Sequence, residues 1–223
     1  MSVVLDHLVV VARTLAQGVQ WCEATLGVTP GPGGRHPLMG THNRLLNISA
    51  PGFERAYLEI IAIDPQAEPP TRARWFGMDS PALQAAVAHA PQLVHWVGRS
   101  DMLDMHRWGL VAGGLNAGEP VAASRDTPAG RLQWRMLLRD DGQLLNGGAL
   151  PTLIEWTGPH PTDTMPDAGL QLLQLTVRGL PAKAAEVLRP RGVELAAGEA
   201  PTLQVRLHTP RGEVLLTSAQ DMP

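Results

Sequence analysis

The chain has 223 residues, 44% of them apolar and only 17% charged, with a net charge of −3. This composition specifies a folded protein with apolar surface to bury, its charged content lying below the ~25% usual for soluble domains. No basic block is present, which argues against nucleic acid as a partner, and no run approaches the ~18 apolar residues of a membrane helix. Cys22 is the single cysteine, so an intrachain disulfide and a cysteine-rich zinc site are excluded and a reducing, cytoplasmic setting fits.

The opening segment, MSVVLDHLVVVARTLAQG, has no basic leader and carries Asp6 and His7 inside its apolar run. It is expected to be a strand and not a signal peptide. Leu15, Val19, Cys22 and Leu26 then recur at helical spacing. Thr14 and Gln17 form a capping box before them, and Gly27 stands where a C-terminal helix glycine belongs. Cys22 lies on the apolar stripe and is expected to pack. A Gly/Pro-rich loop, TPGPGGRHPLMGTHN, leads to two strands, RLLNIS (44–49) and AYLEIIAI (56–63), across the turn APGFE.

Residues 64–91 read as a linker with a short helix opened by Ser80-Pro81. The pattern then repeats. QLVHWVG (92–98) is a strand, Asp101 opens a helix that ends near Gly113, and RLQWRMLLR (131–139) and LPTLIEW (150–156) are later strands. After a second linker at 158–169, a third pass gives the strand QLLQLTV (171–177), a helix from Pro181 to Leu188, and the strands VELAA, TLQVRLH and GEVLLTS. The expected architecture is α+β: βαβββ modules at 1–63 and 92–157, and a degenerate third at 170–219. Curved, mostly antiparallel sheets would surround a concave pocket, with the helices outside.

Laying LDHLVVV over LVHWVGR and LLQLTVR aligns His7, His95 and Gln174. Laying AYLEIIA over TLIEWTG and EVLLTSA aligns Glu59 with Glu155, and brings Leu216 near the same position. A carboxylate or imidazole inside an apolar strand is costly to bury unless it is paired or bound to a metal. Since side chains alternate faces, two modules can turn His7, Glu59, His95 and Glu155 toward one centre. Such a set suits Zn²⁺, Ni²⁺, Co²⁺, Fe²⁺ or Mn²⁺. Trp96 and Trp156 would then face away. The competing reading pairs the glutamates with Arg135 or Arg44 and satisfies His7 within the protein.

His36, His42, Asn43 and Arg44 follow the first helix in a segment placed to touch substrate. Arg35 and Arg44 could recognise an anion. Arg131 and Arg135 share a strand face, where a cation could stabilise an enolate or carboxylate. His89, His106, His160 and His208 are expected to be structural or exposed. No phosphate-binding loop or serine nucleophile elbow is present.

The His…Glu…His…Glu layout resembles the metal site of glyoxalase I and its vicinal-oxygen-chelate relatives, the glyoxalase, bleomycin-resistance and dioxygenase superfamily. GGRHPLMGTHNRLL, YLEIIA and RWFGMD resemble more closely a bacterial group of glyoxalase-like domains, over roughly residues 3–160. The resemblance implies a metal-dependent lyase or isomerase on a small oxygen-bearing substrate. His7, Glu59, His95 and Glu155 would hold the ion, and Glu59 or Glu155 would act as the base. His36, His42, Asn43, Arg44 and Arg135 would contact substrate. Two alternatives stand beside it: a non-catalytic sequestration protein, with no metal, and a ring-cleaving dioxygenase using two histidines and one carboxylate. A homodimer is compatible with either.

Overall fold

The computed structural model describes residues 2–198 and 202–218. The first unit comprises β1 (Val4–Val11), α1 (Leu15–Thr25), β2 (Arg35–His36), β3 (Thr41–Asn47) and β4 (Tyr57–Ile63). Helix α2 (Pro81–His89) lies in the connection to a second unit of β5 (Gln92–Arg99), α3 (Leu103–Ala112), β6 (Glu119–Thr127), β7 (Gly130–Leu138) and β8 (Thr152–Thr157). The third comprises β9 (Gln171–Arg178), α4 (Ala182–Leu188), β10 (Val193–Ala196), β11 (Thr202–Thr209) and β12 (Gly212–Thr217).

Helix α1 begins as its sequence requires. The Thr14 side chain accepts the Gln17 N–H at 3.1 Å, while the Gln17 side chain accepts the Arg13 N–H at 2.8 Å. Beyond Leu26 the chain turns at Gly27, φ 76°, a left-handed conformation that favours glycine.

The first two units form one eight-stranded sheet in the order β2-β3-β4-β1-β5-β8-β7-β6. Each half repeats the other: β1 runs parallel to β4, β5 runs parallel to β8, and β1 and β5 meet antiparallel at the seam. The remaining pairs are antiparallel. This is the expected α+β architecture of curved sheet and flanking helices. Strand β6 was not expected, because EPVAASRDT lacks the apolar alternation of a half-buried strand. It forms the polar edge of the sheet and pairs with β7 along its full length.

The outer face carries α1 and the third unit. Leu8, Val10, Leu58, Ile60 and Trp96 of the large sheet share a core with Cys22 of α1 and with Leu175, Val177, Leu203 and Val205. Trp96 is fully buried and donates its indole N–H to the Ala149 carbonyl at 3.0 Å. Helix α3 packs beside it, with Leu103 and Leu110 against Ala184 and Leu188 of α4. The third unit keeps the order strand, helix, strands but pairs differently. Its four-stranded sheet runs β10-β9-β11-β12, so β9 lies between β10 and β11 instead of beside the last strand. Residues 199–201 and 219 of the expected third module lie outside the described residues.

The connection at 64–91 does more than link the units. Trp75, Phe76, Met78, Leu83 and Val87 join Val9, Val11, Ile61, Val97, Met136 and Ile154 in a core on the inner face. Part of the concave surface is therefore filled by the connection. Phe76 and Gly77 turn at φ 58° and 64°, a conformation that a phenylalanine adopts only where packing holds it. Its ring is flanked by Trp75, 5.4 Å between centroids, and by His95 at 5.5 Å.

Candidate functional site

The inner face of the first half carries a chain of polar groups that begins at a β-bulge. The β1–β5 ladder pairs Leu5 with Gly98 and then His7 with Val97, leaving Asp6 as an extra residue. A bulge redirects side chains out of strict alternation, and two consecutive polar residues meet here. His7 Nδ1 lies 2.7 Å from Asp6 Oδ1. The carboxylate accepts only, so Nδ1 bears the proton and the Nε2 lone pair is directed inward. Asp6 also receives Trp156 Nε1 and His160 Nε2, each at 3.0 Å, and Arg99 Nη1 at 3.4 Å. Burial alone would raise the Asp6 pKa. The hydrogen bonds from His160 and His7 outweigh it and hold this carboxyl well below the usual range.

Across from His7 stands Glu59 of β4, with Oε2 at 3.6 Å from His7 Nε2. Its other oxygen accepts the Asn43 amide at 2.6 Å. The Asn43 carbonyl oxygen in turn accepts the Gly34 N–H at 2.7 Å and Arg125 Nη1 at 3.3 Å. The Asn43 nitrogen also lies 3.4 Å from His36 Nε2, and His36 Nδ1 lies 3.1 Å from Thr41 Oγ1. Burial, with smaller contributions from Arg125, His7 and His42, pushes the His36 imidazole down to about 3. His36 is therefore a neutral acceptor near neutral pH. Tyr57 stacks on His7 at 4.5 Å between centroids. Its phenol is pushed up by burial and by the Asp6 and Glu59 charges, and stays protonated.

Two adjacent spaces serve this array. An inner chamber of about 30 Å³ is lined by His7, Asn43, Tyr57, Glu59, Trp75 and Phe76. A cavity of about 620 Å³ adjoins it, and the two share Leu45, Arg125 and Pro161 as walls.

Among the residues singled out from sequence, His7, Glu59, Asn43 and His36 come together here. His95 and Glu155 do not join them. His95 Nδ1 faces the Gly148 carbonyl at 3.2 Å, so it carries the proton, and Nε2 accepts the Thr152 N–H at 3.0 Å. Neither nitrogen has a lone pair left for an ion. Burial pushes His95 down to about 3, although the Gly148 hydrogen bond opposes the shift. Glu155 faces outward with its ladder partner Arg135. It accepts Arg135 Nε at 3.0 Å and the Leu103 N–H at 3.3 Å, while Arg135 also binds Asp104 at 3.0 Å. Both residues are consumed by a partly exposed ion-pair network. His42 and Arg44 flank the inward-facing Asn43 on β3, and so turn to the opposite face. His42 Nδ1 lies 3.9 Å from Asp64 there, and Arg44 is exposed.

Strand register explains the mismatch. Val9, two residues after His7, pairs with Glu59, and Val97, two residues after His95, pairs with Thr152. The counterpart of Glu59 is therefore Thr152, whose hydroxyl lies 3.0 Å from His95 Nε2. Trp156, expected to face away, lies on the inner side. Asp6, Tyr57, Trp75, Arg125 and His160 are site residues that the sequence pattern did not single out. Adjacency to His7 could have flagged Asp6, but the others depend on tertiary placement.

A four-ligand metal centre does not fit this donor set. One half offers His7 Nε2 and Glu59 Oε2, while the other offers a saturated imidazole and a threonine. No group of three or more His, Cys, Asp or Glu side chains among the described residues is arranged to hold an ion. Among the described residues, no helix is long and apolar enough to cross a membrane.

Comparison with known proteins agrees with this architecture. The chain is similar in structure to a hypothetical protein from Staphylococcus aureus, with TM-score 0.58 and 13% identity over 96% of this chain and 85% of that one. It is also similar to a Streptomyces coelicolor methylmalonyl-CoA epimerase solved with 2-nitronate-propionyl-CoA, at TM-score 0.43 and 14% identity, covering 70% and 96%. A Mycobacterium tuberculosis methylmalonyl-CoA epimerase gives TM-score 0.39 and 16% identity over 71% and 89%. No curated protein matches. The model of the glyoxalase-like domain family matches residues 5–191, so the chain belongs to that family and has the vicinal oxygen chelate fold.

Proposed function

We propose that this protein is a lyase or isomerase that moves a proton at a carbon next to a carbonyl, with Glu59 and His7 as its acid–base pair. The observation that carries this reading is the 3.6 Å gap between His7 Nε2 and Glu59 Oε2 in the lining of a small chamber. Two opposed proton carriers, each oriented by a separate buried partner, form the geometry that general acid–base catalysis requires. With the proton on His7, Glu59 is the free base. It takes the proton from carbon, the C–H electron pair moves to the carbonyl oxygen as an enolate, and the His7 Nε2–H donates to that oxygen. Delivery of the proton to an adjacent carbon completes an isomerisation, and loss of a neighbouring leaving group completes a lyase reaction. Asp6 fixes the His7 tautomer and offsets the imidazolium charge. Asn43 holds Glu59 in place.

The dioxygenase reading drawn from His7, His95 and one glutamate is disfavoured, because both His95 nitrogens are engaged. The sequestration reading draws support from the large cavity and is separated from the enzyme by one measurement. In D₂O, a panel of 2-oxo acids of increasing chain length is followed by NMR for uptake of deuterium at the carbon beside the carbonyl. At least one member is expected to exchange, with the Glu59→Gln protein slower by about 10²–10⁴-fold. If no member exchanges faster with the native protein than with Glu59→Gln, the enzyme reading fails.

A further inference from the structure

Arg125 occupies an unusual place. It comes from β6 of the second half, yet it reaches Asn43 of the first half and stands where the inner chamber meets the large cavity. Among the described residues it makes no ion pair; its one side-chain hydrogen bond is to the side-chain oxygen of Asn43, at 3.3 Å. Its Nε is buried and has no hydrogen-bond partner. The Trp75 indole nitrogen, on a residue only 8% exposed that lines the same chamber, also has none. Buried donors are normally paired; neither of these is, and both belong to residues that line one chamber. Beyond Arg125 the lining becomes largely apolar, with Val28, Leu45, Leu132, Pro161, Met165 and Ala168. A cavity of about 620 Å³ falls within the ~300–1,000 Å³ typical of organic ligands. The chamber beside Glu59, at about 30 Å³, holds little more than one water.

We propose that the site binds an amphipathic carboxylate, its anionic head on Arg125 at the throat and its apolar body in the outer cavity. The inference deepens the proton-transfer reading, since it rests on the chamber at Glu59 being the reactive end. The head then sits beside the acid–base pair, and only the atoms next to it enter the chamber. A neutral molecule with the same tail lacks the ionic contact. A short acid lacks the apolar burial, which is worth about fourfold in affinity per CH₂.

The test compares decanoate with decanol by calorimetric titration. Decanoate is expected to bind the native protein at least tenfold more tightly than decanol. Arg125→Met should weaken decanoate by about tenfold to a hundredfold, the loss of a charge-assisted hydrogen bond, and leave decanol unchanged. Met165→Asp, in the outer cavity, should weaken both. Glu59→Gln should keep the preference for decanoate over decanol, which separates this inference from the proposed chemistry: absence of exchange with intact decanoate selectivity would sink the enzyme reading alone. Equal binding of acid and alcohol by the native protein, or native decanoate affinity in Arg125→Met, overturns the proposed head-group site. Native affinity for both probes in Met165→Asp overturns the placement of the tail.

Discussion

Lowering the pH tests the buried polar framework directly. His36 and His95 are both held near a pKa of about 3, chiefly by burial, against ~6.5 for an unfolded histidine. A folded value below the unfolded one means that the unfolded chain takes up protons that the native protein refuses. The stability contributed by the neutral rings is therefore complete above about pH 6.5 and is lost as the pH falls toward 3. Near pH 5 the linkage amounts to about 2 kcal/mol for each ring, or about 4 kcal/mol for the two, relative to pH 8. Urea unfolding at both pH values measures it. Replacing His95 by Gln removes one titrating ring while keeping an acceptor for the Thr152 N–H. The variant should lose about 2 kcal/mol less than the native protein on acidification, whatever its stability at pH 8. His42 and His106 are also shifted down by burial, but they are common to both proteins and cancel in the difference. Identical pH dependence in the two would refute the assignment of His95 as a buried neutral ring.

Two substitutions probe the frame around Glu59. A β-carbon on Gly33 would lie 2.1 Å from the Asn43 carbonyl oxygen, so Gly33→Ala must displace the strand that orients Glu59. We expect a loss of about 1–3 kcal/mol in urea unfolding, together with slower deuterium exchange; native behaviour in both would show that the loop gives way freely. Glu155→Gln should leave exchange within about twofold of native and alter stability by no more than about 1 kcal/mol, as befits a partly exposed ion pair. A large loss of exchange would return Glu155 to the reacting centre.

The repeat was legible because periodicity survives without register. VVLDHLVVV, the α1 stripe and AYLEIIAI each announce their element through local pattern alone, and QLVHWVG repeats the first. Matching histidine to histidine was sound, since His7 and His95 hold equivalent places across the seam. Matching glutamate to glutamate was not, because the closing strand of the second half enters its ladder at Thr152 and Glu155 lies three residues further on. Composition cannot fix register, and an odd shift reverses the face that every side chain presents. The role of residues 64–91 was hidden for another reason. RWFGMD has no periodic signature, and its aromatic residues find their place only once two distant strands supply the walls. Arg125 was masked by a polar edge strand that does not read as a strand at all.

The seam between β1 and β5 does more than join two copies of one unit. The first copy carries the proposed acid–base pair, His7 and Glu59, while the second has Thr152 at the matching position and reaches over with Arg125, the only guanidinium lining the inner chamber among the described residues. On the proposed reading, the first copy alone would retain reactive groups with no means of selecting what they meet, and the second would select with nothing to react. A duplicated architecture has in this way become a division of labour, and the two copies can no longer be exchanged.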